Sequence, residues 1–485
     1  MEVTVRIATV VLALALGTVW GQELTDYPQK RDVEIDKDYA EDLYLGIKAF
    51  NIDDYLEARK HFEHALERRP KDHNIHHYLG ITKKYLSDYL GALASYNKAL
   101  ELSPTFINAL TNRGILFGMM NKYKDALADF DRAAKLDPAF PGVLAGRGVT
   151  EYRFGNHDKA IEHFTRLLQL DPKNAAAYNN RGLCHLARKD NKVAYADFDQ
   201  AVQLEPGYGT AYGNRGYVRF LDKEYDLAMA DFTRAISLNP RDSLAYYNRG
   251  NVFEVQAQYA LAVNDYTSAI LLSPKNADYY FGRGVAYEGL KLYVQVLEDY
   301  SAAIELNPAH VSSYYNRGII DLELKEFGEA LKDFSCILAI DPKHADALFG
   351  KGLSYKGLKM PDKAMENVAR SLELDPKDVI TWLTLGELQL LAGSYEKARG
   401  TFKGALEKAV LPKDKLVAVA FLHLLDLIQR TPEQPYKKEL EKLRATVKDS
   451  GWAFDDLEAW TAGKDIPSDV ATAVKAVLVQ LKPRS

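Results

Sequence analysis

The sequence predicts an all-α solenoid of helix-turn-helix repeats ending in C-terminal capping helices, and three observations carry that prediction. A glycine recurs every 34 residues, at Gly46, Gly80, Gly114, Gly148, Gly182, Gly216, Gly250, Gly284, Gly318, Gly352 and Gly386. Twelve residues after each glycine comes a small residue, Ala58, Ala92, Ala126, Ala160, Ala194, Ala228, Ala262, Val296, Ala330, Ala364 and Ala398. Four further on sits a bulky one, Phe62, Tyr96, Phe130, Phe164, Phe198, Phe232, Tyr266, Tyr300, Phe334, Val368 and Phe402, and a proline closes ten of the units, from Pro70 to Pro376. A period of this length marks an array in which each unit buries its apolar face only against its neighbours.

Each conserved step has a physical role. Glycine facing alanine lets two helix backbones approach, and the aromatic ring fills the space beside them. Proline ends the second helix because it lacks an N–H and restricts the residue before it. With these positions and the stretch Ala245-Tyr246-Tyr247-Asn248-Arg249-Gly250, the chain resembles the tetratricopeptide repeat family over residues 39–412, eleven consecutive units without an insertion. The resemblance implies a right-handed superhelix whose first helices line a concave groove.

Composition narrows the function. The 62 basic residues against 67 acidic ones leave a net charge of -5, which argues against a general nucleic-acid binder, because phosphate neutralisation needs a basic face. Cys184 and Cys336 lie more than four repeats apart and are read as buried small apolar residues, not as a disulfide. The chain carries no phosphate-cradling glycine loop, no Gly-x-Ser-x-Gly elbow and no spaced metal motif. Repeats and caps use up its length, so no enzyme, cofactor or metal centre is expected.

Residues 1–21 read as a secretory signal peptide: Arg6 gives a positive start, Ile7 to Leu16 an apolar run, and Val19-Trp20-Gly21 a cut before Gln22. The run is too short to span a bilayer comfortably, and Leu481 to Ser485 is no endoplasmic-reticulum retention signal, so a secreted or periplasmic location is expected. Residues 22–38, charged and containing Pro28, read as a flexible leader.

Five of the eleven histidines, His61, His64, His73, His76 and His77, fall in the first two repeats. The spacings of His61/His64 and His73/His77 put side chains on one helix face. No motif fixes an acidic or cysteine ligand beside them, so they are read as surface or packing residues, with a metal site and a pH-sensitive cluster left open.

The middle repeats carry two further rows. Arg113, Arg181, Arg215, Arg249, Arg283 and Arg317 each precede an aspartate by sixteen residues, at Asp129, Asp197, Asp231, Asp265, Asp299 and Asp333. Where leucine replaces the arginine, at Leu45, Leu79 and Leu385, the aspartate is missing too. This predicts a ladder of charge pairs fixing helix register, with Arg147 opposite His163 as the exception; the sequence leaves open whether partners share a repeat.

One residue before the arginine stand Asn112, Asn180, Asn214, Asn248 and Asn316, with Gly146 and Gly282 in two of the units. The resemblance implies that these asparagines hold the backbone of an extended peptide, a task an amide suits because it donates and accepts at once. Beside them Tyr247, Phe281, Tyr315 and Phe349 either line the same groove or pack between neighbouring first helices. Tyr44 and Tyr78 replace the asparagine in the first two repeats, so a carboxylate clamp for a peptide C-terminus is not expected.

Beyond Pro412 the repeat decays. Residues 413–430 read as a degenerate first helix, 435–448 as a charged second helix, and Trp452, Phe454, Leu457 and Trp460 as apolar surface for a terminal helix near 466–481. A solenoid end needs such a cap. The expected function is an exported scaffold binding a protein partner's extended segment in its groove. The alternatives are a self-assembling envelope protein or a non-catalytic adaptor subunit of a secreted enzyme.

Overall fold

The computed structural model describes residues 37–432, 434–447, 449–463 and 466–481. Residues 1–21, expected to be a signal peptide, and most of the expected leader lie outside the described residues. The chain forms two compact units, one ending at Leu272 and one beginning at Ser273. Every regular element among the described residues is a helix, and no helix is long and apolar enough to cross a membrane.

The first unit holds seven helix pairs: α1 (Lys37–Asn51) with α2 (Tyr55–Arg68), α3 (His73–Tyr85) with α4 (Tyr89–Leu102), α5 (Ile107–Met119) with α6 (Tyr123–Leu136), α7 (Pro141–Arg153) with α8 (His157–Leu170), α9 (Ala175–Ala187) with α10 (Asn191–Leu204), α11 (Gly209–Leu221) with α12 (Tyr225–Leu238), and α13 (Ser243–Val255) with α14 (Tyr259–Leu272). The second unit continues with α15 (Ala277–Gly289), α16 (Tyr293–Leu306), α17 (Val311–Glu323), α18 (Phe327–Ile340), α19 (Ala345–Gly357), α20 (Pro361–Leu374), α21 (Val379–Leu391) and α22 (Tyr395–Lys408). It ends with α23 (Pro412–Ile428), α24 (Lys437–Thr446), α25 (Asp455–Trp460) and α26 (Ser468–Leu481).

The periodic glycine is a contact residue. A Cβ on Gly250 would lie 2.8 Å from Tyr266 Cε1, and one on Gly46 would lie 2.6 Å from Phe62 Cε1. Those rings are fully buried, so each pair of helices closes over its own aromatic. Hydrogen-bonded turns join the pairs. Asp54 N–H reaches Ala49 O at 3.0 Å and Asp53 N–H reaches Phe50 O at 3.1 Å, the pattern that ends a helix through a left-handed residue. That residue has positive φ in every repeat, yet it is glycine only at Gly155 and Gly393; elsewhere the turn is held by Asp53, Ser87, Asn121, Ala257 or one of five lysines. The strain of a Cβ there is carried by packing of the two helices it joins.

The charge ladder is present and lies within repeats. In all six cases the arginine Nε donates to one aspartate oxygen and Nη2 to the other, as in Arg249 to Asp265 at 2.7 and 2.8 Å. The third nitrogen reaches the preceding second helix: Arg113 Nη1 donates to Asn97, Arg181 to Thr165, Arg215 to Asp199, Arg249 to Thr233 and Arg317 to Ser301. Each of these five guanidinium groups therefore fixes the pairing inside a repeat and the stacking of that repeat on the one before. Arg147, which lacks the aspartate, keeps only the backward contact, to Asp131 at 2.8 Å.

In the second unit α23 is buried on nearly all faces, from Leu416 to Asp426, which accounts for its uniformly apolar sequence. Helices α24 and α26 pack on it. Buried Asp426 accepts from Arg399 Nη1 at 2.8 Å. Both cysteines are free; Cys184 is buried, which pushes its thiol up to about 12, whereas Cys336 on α18 is exposed, against the expectation of a buried residue.

Candidate interaction surface

The first helices carry the expected site residues at one register, and their surroundings separate them. Asn112 on α5 is 0% exposed. The cause is Gly146 at the equivalent place on α7: a Cβ there would lie 2.9 Å from Ile115 Cγ1, and a Cβ on Gly118 would lie 2.9 Å from Thr150 Oγ1. Without side chains at these points α5 and α7 close on one another and cover the amide. Its Nδ2 donates to His77 Nε2 at 2.9 Å. Asn112 is thus an internal partner of a buried histidine.

His77 is itself enclosed by Phe106 at 5.0 Å between ring centroids and Tyr96 at 6.0 Å. Burial pushes its pKa down to about 3, and Lys84 adds to the shift. A histidine depressed in this way contributes its full stability above the ordinary value of 6.5 and loses it as pH falls towards 3. Protection factors of the amides of α3 to α5, taken relative to intrinsic exchange at each pH, are therefore expected to fall as the pH drops below 6.5, by up to about tenfold per unit where exchange follows global opening of these repeats. His77→Gln should flatten that dependence; an unchanged slope would assign it to other groups.

The remaining asparagines differ. Asn248 is 6% exposed. Asn180, Asn214 and Asn316 are half-buried, with Asn214 Nδ2 donating to Asn179 Oδ1 at 2.8 Å and Asn316 Nδ2 to the Tyr300 hydroxyl at 3.2 Å. The neighbouring aromatics are drawn inward. Tyr247, 8% exposed, lies 5.5 Å from the Tyr266 ring. Phe281 stands between Tyr300 at 5.7 Å and His310 at 5.3 Å, and Tyr315 between Phe334 at 6.1 Å and His344 at 6.2 Å. Phe349 packs beside Val368 and Leu385. Phe281, Tyr315 and Phe349 each lie against their own second helix and the next repeat. Phe281, Tyr315 and Phe349 remain half-buried, with part of each ring at the surface.

The second unit holds a feature that no repeat position announces. Gly451 to Phe454 run without regular structure into α25, and this segment lies against first helices. Trp452 and Phe454 meet Phe421 of α23 at 6.0 and 5.6 Å. Asp456 accepts from Lys356 of α19 at 3.1 Å and from Lys359 at 3.4 Å. Lys356 also pairs with Glu387 of α21 at 2.7 Å, a carboxylate with 0% exposure whose pKa burial raises. Only the aromatic character of Trp452 and Phe454 hinted at this contact in the sequence.

The histidine row divides as well. His76 Nε2 donates to Pro70 O across 2.9 Å, the place taken by Tyr280 at Pro274 and Trp382 at Pro376, so it substitutes for an aromatic anchor. His61 and His64 instead come beside Asp42 on α1, a residue that no repeat position singled out.

Stacked helix pairs with a conserved inner register define a repeat scaffold for protein interaction. Two models described as "Tetratricopeptide repeat" match the sequence, one at residues 111–175, 148–209 and 247–295, the other at 209–242 and 345–378. The chain is a tetratricopeptide repeat protein. Proteins of this class are generally non-catalytic.

Among solved structures, the chain is similar to the tetratricopeptide repeat protein YrrB, described with an unusual peptide-binding site, at 24% identity over 38% of this chain and 95% of that one, with a TM-score of 0.35. It is also similar to a tetratricopeptide repeat protein of Parabacteroides merdae, at 19% identity over 52% and 99% with a TM-score of 0.43, and to yeast Tom70, at 18% over 84% and 100% with a TM-score of 0.36. None of the curated proteins matches the sequence.

Proposed function

We propose that this chain is an exported, non-catalytic scaffold that takes an extended segment of a partner protein along its first helices. The supporting observation is internal: residues 451–454, without regular structure, already lie on α23 with the Trp452 and Phe454 rings on Phe421, and Asp456 at the start of α25 sets a carboxylate on Lys356 of α19. Aromatic stacking and a charge-assisted contact are the interactions by which such a face holds an extended chain. Asn180, Asn214 and Asn316 are the amides of the row that keep surface exposure, and they supply backbone contacts elsewhere along the first helices.

The test is capture from the secreted fraction by residues 22–485, followed by cross-link mapping on the captured protein. Cross-links to first helices, and loss of capture by a folded Asn180→Ala, Asn214→Ala, Asn316→Ala variant, are the expected results. Equal capture by both proteins, with cross-links to second helices, would overturn the groove reading. Export is tested on the same material: the mature chain should begin at Gln22, and an intact Met1 in the cell interior would contradict it.

A further inference from the structure

The first repeat brings together three groups from two helices. Asp42 on α1 and His61 and His64 on α2 place one ligand atom each within 4.8 Å of one another. Asp42 Oδ1 lies 2.9 Å from His61 Nδ1 and 3.9 Å from His64 Nδ1. Tetrahedral zinc with nitrogen and oxygen ligands at about 2.0–2.1 Å holds those ligands roughly 3.3 Å apart. The two observed separations straddle that value, so small side-chain rotations close the set around an ion.

Two further features favour an ion over a simple histidine–aspartate hydrogen bond. The second nitrogen of His61, Nε2, faces Glu57 Oε1 at 3.4 Å, and a carboxylate on the far ring nitrogen is the arrangement that orients and strengthens an imidazole ligand. The support is also stiff: Ala58, Phe62 and Ala65 of α2 are fully buried, and the side chains of Asp42 and His61 are each 18% exposed. His64, at 52%, leaves the outer side open to solvent, where water completes the coordination.

We infer that Asp42, His61 and His64 form a solvent-open site for a divalent transition ion, with zinc the natural occupant. Two imidazoles and one carboxylate exclude magnesium and calcium, which require oxygen ligands, and suit zinc. Glu57 orients His61 from behind. Binding ties α1 to α2 and so stiffens the first repeat, the end of the array with a neighbour on one side only among the described residues.

Zinc titration of the metal-stripped chain, in competition with a chromophoric chelator, tests the site. One equivalent is expected, with a raised thermal midpoint and, on cobalt substitution, visible absorption of a low-coordinate ion. His64→Gln, which lies at the surface and leaves the core untouched, should weaken binding at least about tenfold, and Asp42→Asn likewise. Glu57→Gln should weaken it less. A His73→Gln, His76→Gln variant should bind as the parent does. Absence of stoichiometric binding, or binding that His64→Gln and Asp42→Asn leave unchanged, would overturn the assignment.

Discussion

Asp231→Ala is expected to be the most damaging single substitution in the charge ladder, at about 3–5 kcal/mol. Asp231 accepts from Arg215 Nε at 2.9 Å and Nη2 at 2.6 Å, and from Arg219 Nη1 at 2.8 Å. Both arginine side chains are 13% exposed, so removing the carboxylate leaves two poorly solvated cations facing each other. Arg215 retains Asp199 and Arg219 retains the Tyr195 hydroxyl, which anchors each cation where repulsion is strongest. Asp265→Ala, which strands Arg249 alone, should cost less. Denaturant midpoints and hydrogen exchange over α10 to α13 measure the effect. Replacing Arg215, Arg219 and Asp231 together by apolar residues of similar volume should recover much of the loss, because the penalty comes from the stranded charge. A cost equal to that of exposed Asp222→Ala would show that the ladder fixes geometry without stabilising it.

Lys356→Ala is expected to cost about 3 kcal/mol and to loosen the chain's own C-terminal segment. Glu387 is fully buried with Lys356 as its charge partner, and Asp456 is held by Lys356 and the exposed Lys359. Without Lys356 the Glu387 carboxyl is favoured in its neutral form, since burial already raises its pKa. Asp456 then has only a solvent-screened contact left. Hydrogen exchange over residues 449–463 should rise, and Trp452 fluorescence should shift towards that of a solvated indole. Lys356→Ala with Glu387→Gln should restore the global stability and leave the segment loose. That separation distinguishes the cost of the buried charge from the latch on Asp456. If the segment stays protected in both variants, stacking on Phe421 alone holds it.

The repeat and its internal contacts were legible in the residues. Glycine against aromatic falls within one 34-residue unit, where helical geometry sets the two face to face; the matching of arginine with aspartate sixteen residues on was visible, but only the placed helices show that the pair shares a repeat. The left-handed turn was not legible at most repeats, because lysine, serine, asparagine, aspartate and alanine take the conformation that glycine would have signalled. Of the candidate peptide contacts, the sequence supplied the register but not the exposure. Asn112 is covered because Gly146, one repeat on, has no side chain to keep α7 from α5.

What the sequence determined by itself was the helix pair, its period and the matched occurrence of arginine and aspartate along the repeats, since those follow from a pattern repeated along the chain. The tertiary structure decided what depends on how one pair rests on the next. It set the backward reach of each arginine, the burial of the amides, the meeting of Asp42 with His61 and His64, and the return of residues 451–456 across α19 to α23. Side chains from different helices meet according to helix rotation and separation, and the bulk of neighbouring residues sets both.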